Sequence, residues 1–202
     1  MDIEKIKEQL KNNMTVNGNV NKRYYHSVEV AKMAVELVQK HKLSLDIEKV
    51  YISGILHDAT KLFSKEKQKQ MLYELGYQDS DEIMLSTNVW HGETAPAFVK
   101  KEYNINDEEI LNAIKYHVMG RPNMTDLEKV VFIADYVERS RVGKVFDDAR
   151  KIAFEDLDKA LIFILESQIN YITSMHETLI SQTLKTYEYY KKENNISKWI
   201  KN

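Results

Sequence analysis

The chain is almost free of residues that break helices, and this limits its fold more than any other feature. Its 202 residues include only two prolines and six glycines. Apolar positions recur three and four apart nearly throughout, the period of a helix that buries one face. Tyr24, Val28, Ala31, Val35 and Val38 form one such stripe. Ser44 is the expected cap of the next helix, which the pattern carries through "ISGILHDATK". "SKEKQKQMLYELG" reads as a short exposed helix opened by Ser64 and closed by Gly76. Asn106 with Glu109, and Thr125 with Glu128, have capping-box spacing ahead of two further helices. From about Asp156 two long helices finish the chain, with a break near Thr173-Ser174. No repeat, low-complexity tract or linker divides it. The expectation is an all-α bundle, one domain over 1–202 with C-terminal helices at about 156–195.

Charge is nearly balanced, 29 basic residues against 31 acidic. That argues against a general nucleic-acid or membrane-surface binder. With no cysteine, disulfides, zinc-thiolate sites and cysteine nucleophiles are excluded. The N-terminal "MDIEKIKEQL" lacks the apolar run of a signal peptide, and "ALIFIL" is too short to span a bilayer. A soluble cytoplasmic protein is the expectation.

Against this background the polar residues stand out by position. His26, His57 and His117 lie within or at the edge of apolar helical patterns, and His91 sits in "NVWHGE". Asp58 adjoins His57, and Asp135 interrupts "VVFIADYV". A carboxylate on an apolar helix face is costly unless paired or coordinated. Taken singly, each histidine is more simply a core or capping residue. Taken together, four histidines and two aspartates on successive helices are the donors that a bundle needs to build an inward metal site. Their nitrogen and oxygen donors suit iron, manganese, zinc or a related ion.

The order of these residues resembles a known family. "RYYHS", "ILHDATK", "WHGE", "YHVMG" and "ADYVERSR" follow the signature of the HD-domain metal phosphohydrolases, and more closely that of the YqeK-type symmetrical bis(5'-nucleosyl)-tetraphosphatases. The likeness runs from about residue 22 to 141, with a weaker echo in "SMHET". Two departures are Val118, where the family usually has threonine, and Arg139, where it often has proline.

The resemblance implies an HD-domain helical bundle with His26, His57, Asp58 and Asp135 as metal ligands. It leaves His91 and His117 either to complete a second metal site or to contact phosphate. One or two transition-metal ions, iron first among them, would serve as cofactor. Asp58, Lys61, His91 and His117 are then the candidate catalytic residues. Arg23, His26, Lys61, His91, His117 and Arg141 are the candidates for substrate binding. Lys61, one helical turn from Asp58, would share its face and reach a phosphate. The implied reaction is attack of metal-activated hydroxide on an inner phosphorus of diadenosine tetraphosphate, giving two ADP.

Outside the resemblance, Arg23 and Arg141 read more simply as surface ion pairs. His176 is expected to cap a helix start or touch a nucleotide, and His41 to meet the terminal carbonyls of its helix. The tyrosines of "TYEYYKK" read as ordinary packing, with a homodimer contact as the alternative. Rival functions are a nucleotidase or phosphodiesterase of the same superfamily, a di-iron oxygenase, and a signalling module without catalysis. Lys61 and the arginines favour phosphate over oxygen chemistry.

Overall fold

The computed structural model describes residues 2–200, with side chains through residue 194. Its order is α1 (Ile3–Asn13), β1 (Thr15–Val16), β2 (Asn19–Val20), α2 (Lys22–His41), α3 (Ile47–Leu56), α4 (Lys65–Glu74), a 3-10 turn (Glu82–Leu85), α5 (Trp90–Glu102), α6 (Glu108–Tyr116), α7 (Asp126–Val137), α8 (Lys144–Glu155), α9 (Leu157–Ser174) and α10 (Ser181–Ile200). The strands form a two-residue antiparallel hairpin that the helical pattern did not signal. The architecture is otherwise all-α, and no helix among the described residues is long and apolar enough to cross a membrane.

Two apolar cores meet along α2. One gathers Leu37, Val130, Phe132, Ile133, Leu161 and Ile164 from α2, α7 and α9. The other gathers Leu10, Ile52, Leu56, Val99, Ile110 and Ile114 from α1, α3, α5 and α6. The α2–α3 approach is close because Gly54 lies against Ala31, where a Cβ would stand 2.7 Å from the Ala31 Cα. A third, smaller core joins Val89, Trp90, Met119 and Ile180.

The caps show where local signals sufficed. Ser64 accepts the Lys67 amide and opens α4, while Gly76 follows its end at φ 93°. Thr125 and Glu128 form the expected capping box of α7. Two other caps fall later than the sequence suggested. Asp46, not Ser44, accepts the Glu48 amide and opens α3. Asp107, not Asn106, accepts the Glu109 and Ile110 amides and opens α6. In both cases a carboxylate takes the position, where its charge suits the positive end of the helix. Asp107 is held further by the Lys49 ammonium at 2.8 Å.

α3 also ends earlier than the apolar pattern implied. Leu56 is its last residue, and the next segment runs in successive turns, with the Lys61 amide donating to the Asp58 carbonyl at 2.9 Å. Lys61 and Asp58 are therefore related by a turn rather than by a shared helix face.

His41 meets a helix end, but that of α8: its Nε2 lies 2.7 Å from the Ala153 carbonyl. His176 does not start a helix. It is exposed, takes φ 54° just after α9, and its amide closes back onto the Thr173 carbonyl. Arg139 pairs with Glu36 at the surface. The C-terminal tyrosines do pack inward, Tyr190 accepting the Met124 amide at 2.7 Å.

Candidate metal centre

Five helix ends converge on one spot. His26 comes from the start of α2 and His91 from the start of α5. His57 caps the C-terminus of α3 and His117 that of α6, while Asp135 lies in the last turn of α7. The C-terminal ends of α3, α6 and α7 place negative helix ends near the centre, partly offset by the positive N-terminal ends of α2 and α5. Asp58 follows His57 into the centre and is buried with it.

Asp58 spans the cluster with its two oxygens. Oδ2 lies 2.9 Å from Arg23, 3.2 Å from His57 Nε2 and 3.8 Å from His26 Nε2. Oδ1 faces the other way, 3.3 Å from His91 Nε2 and 3.9 Å from His117 Nε2. Asp135 Oδ1 closes the first side, 3.0 Å from His26 Nε2 and 3.7 Å from His57 Nε2. Three overlapping groups result: His26, His57 and Asp58; His57, His117 and Asp135; and Asp58, His91 and His117. In each, the donor atoms lie within 4.8 Å of one another, the spacing of ligands around an ion.

Hydrogen bonding settles which ring nitrogens face the centre. His57 Nδ1 lies 2.7 Å from the Gly54 carbonyl, and His117 Nδ1 lies 2.6 Å from that of Ile114. Both contacts require the proton on Nδ1, leaving the Nε2 lone pair aimed inward. His26 follows the same rule through Glu138, whose carboxylate stands 3.2 Å from its Nδ1. The Nε2 atoms of His26 and His57 are buried, make no directed hydrogen bond, and stand 3.0 and 3.2 Å from the oxygens of Asp135 and Asp58; a lone pair facing a carboxylate at that distance calls for a cation between them, a proton or a metal ion. These residues fit a metal ion.

His91 is arranged oppositely. The Lys61 ammonium lies near both of its nitrogens, 3.2 Å from Nδ1 and 3.4 Å from Nε2, but Nε2 faces two acceptors, the His117 Nε2 lone pair at 3.2 Å and Asp58 Oδ1 at 3.3 Å, which place the proton there.

The charges respond to these contacts. Burial opposes ionisation of Asp58, but the adjoining His57 and then His91 and His117 hold its pKa well below the usual carboxylate value. Asp135 shifts the same way: burial is outweighed by His26, His57 and Arg141. For His26, burial disfavours the cation, yet the carboxylates of Asp135 and Glu138 raise its pKa to about 9. Burial lowers His117 to about 4 and takes His91 well below its ordinary value. Lys61 is lowered, first by burial and only partly restored by Asp58.

Arg23 and Arg141 are not surface ion pairs. Arg23 donates to Asp58, and Arg141 grips both the carbonyl (2.9 Å) and the carboxylate (2.8 Å) of Asp135. Both line an open cavity of about 340 Å³ beside His26, together with Lys22 and Phe146. Glu138 was absent from the sequence candidates. It lies three residues after Asp135, one turn on, and its fully buried carboxylate also takes the Ser140 amide and hydroxyl at 2.6 Å. A glutamate within the "ADYVERSR" motif was the available signal.

Comparison with known proteins gives a consistent result. The HD domain family model matches residues 23–140. The symmetrical bis(5'-nucleosyl)-tetraphosphatase of Staphylococcus aureus is 37% identical over 194 residues, 94% of this chain and 95% of that protein. Its namesake from Bacillus subtilis is 35% identical, over 83% of this chain and 88% of its own. A crystal structure described as a predicted HD superfamily hydrolase involved in NAD metabolism, from Clostridium acetobutylicum, superposes with a TM-score of 0.87. It is 36% identical, over 96% of this chain and 98% of that one.

Proposed function

This chain belongs to the HD domain family, among relatives of the symmetrical bis(5'-nucleosyl)-tetraphosphatases, and we propose that it cleaves diadenosine tetraphosphate into two ADP. The observation that carries this reading is the placement of three cations, Arg23, Arg141 and Lys61, around carboxylates that share one cluster with four histidines. Oxygen chemistry has no use for such a cationic rim, whereas a polyphosphate needs it.

His26, His57, Asp58 and Asp135 would hold the ion in this scheme, Asp58 having one oxygen toward each half of the cluster. An all-nitrogen-and-oxygen set suits iron, our preferred assignment. A bound ion supplies activated water and neutralises charge developing on phosphate oxygens. The protein's own part is to fix the phosphate chain. Arg23 and Arg141 hydrogen-bond the ligand carboxylates and line the cavity at His26, where their remaining N–H groups would meet phosphate oxygens. Lys61 approaches from the His91 side. Cations on both sides of the centre present an inner phosphorus to attack, because positioning decides which bond reacts. His91, with its proton on Nε2, donates to a phosphate oxygen.

The test is product analysis with metal-loaded protein. Diadenosine tetraphosphate should give ADP alone, and in oxygen-18 water one ADP of each pair should carry the label. Lys61→Ala should slow turnover while the metal is retained. AMP plus ATP would reject symmetrical cleavage. Phosphate release from a mononucleotide, with the tetraphosphate untouched, would establish the nucleotidase rival.

A further inference from the structure

A second cavity, of about 410 Å³, is lined in part by Asn88, Val118 and Met119, near neighbours in sequence of His91 and His117. We propose that it seats one nucleoside of the substrate, an assignment that rests on the polyphosphate reading above. One wall is Asn88, Val118 and Met119; the other is Tyr171, Ile172 and Glu177, from the end of α9 and the loop that follows.

The cavity is continuous with the cluster through both chain and contacts. Asn88 precedes His91 by three residues, and Val118 and Met119 follow His117 directly. Lys61, whose ammonium touches His91, also reaches the Asn88 carbonyl at 3.5 Å. A phosphate held at Lys61 would therefore lie beside Asn88, one of the lining residues.

The cavity's chemistry differs from that of the cationic rim at the cluster. Neither lysine nor arginine is among the lining residues. Val118, Met119 and Ile172 offer apolar surface, and Tyr171, an exposed aromatic on the rim, offers a face for a base to stack on. The Glu177 carboxylate accepts the Asn88 amide at 2.8 Å. Its other lone pairs remain suited to ribose hydroxyls, which are donors. The volume falls within the roughly 300–1,000 Å³ usual for small-molecule sites. A neutral, stackable, hydroxyl-bearing group attached to a phosphate is a nucleoside.

Most of this cavity's lining lies outside the region that matches the HD domain model. That match ends at 140, whereas Tyr171, Ile172 and Glu177 belong to the C-terminal helical pair. The family core thus contributes the phosphate chemistry, and the added helices contribute recognition of what the phosphates carry.

The experiment uses full-length, metal-loaded protein and 8-azido-ADP as a photoaffinity probe, with labelled peptides mapped by mass spectrometry. Label within residues 168–178, protected by diadenosine tetraphosphate, supports the proposal. Label confined to the Phe146 side, or no label, overturns it. In parallel, Tyr171→Ala should retain its metal and raise KM for the tetraphosphate on the order of tenfold, more than it lowers kcat. Tyr171→Phe, which keeps the ring, should lose less. An unchanged KM in Tyr171→Ala also overturns the site. If wild-type protein yields no ADP from the tetraphosphate, the proposed reaction fails. The probe map still decides the cavity separately.

Discussion

Replacing Gly54 by alanine should disable the metal centre from a distance, without touching any of its donor atoms. The new Cβ would meet backbone: 2.7 Å to the Ala31 Cα and 3.1 Å to the Ala31 nitrogen. Ordinary contact begins at 3.4 Å, so α2 and α3 must part by roughly 0.7 Å. Overpacking of this kind costs about 1–3 kcal/mol. For a chain of this length that lowers Tm by roughly 2–12 °C. The catalytic cost should be larger. α2 carries His26, α3 leads into His57 and Asp58, and a 1 Å misplacement of reacting groups costs on the order of a hundredfold. Thermal melts, metal content after dialysis and kcat/KM on diadenosine tetraphosphate would be compared between wild type and Gly54→Ala. Adding Ala31→Gly should not rescue the variant, because the closest clash is with backbone atoms that glycine retains. A variant with lowered Tm but wild-type metal content and kcat/KM would refute the claim that the helix separation sets the ligand geometry.

Asp58→Ala and Asp58→Asn should both lose metal and hydrolysis while keeping a helical circular-dichroism spectrum; full metal content with normal turnover in either would remove Asp58 from the ligand set. Glu138→Gln keeps an acceptor for His26 Nδ1 but loses the charge, and should weaken metal affinity about 10–100-fold in a chelator competition; an unaltered affinity would make Glu138 merely structural. In protein stripped of metal, His26 should make stability depend on pH. Its pKa rises from 6.5 to about 9 on folding, as the carboxylates outweigh burial. The contribution is therefore complete below pH 6.5 and lost as pH rises through about 9. The urea midpoint should fall across that interval, and His26→Asn should flatten the fall; an identical slope in the variant would count against it.

The sequence by itself determined the helical class and the set of polar residues that meet at its centre. Helix period and capping chemistry are local, so the stripe on α2, the Ser64 cap and the Thr125–Glu128 box could be read from a few neighbouring residues. His26, His57, Asp58, His91, His117 and Asp135 stood out because polar groups at apolar positions need partners, whatever the fold. Which partners they have was decided by tertiary structure. Glu138 meets His26 across 112 positions of sequence, and Arg23 meets Asp58 across 35. No local pattern encodes such distances. The same holds for the caps at Asp46 and Asp107, where competing acceptors, Ser44 and Asn106, lay two and one residues away, and Lys49 reached Asp107 only once α3 and α6 were packed together. The second cavity is the fullest case. Tyr171 and Glu177 look like ordinary exposed residues until the fold sets them opposite Asn88 and Val118, because a cavity is a property of surfaces that face each other, and chain order does not say which surfaces will.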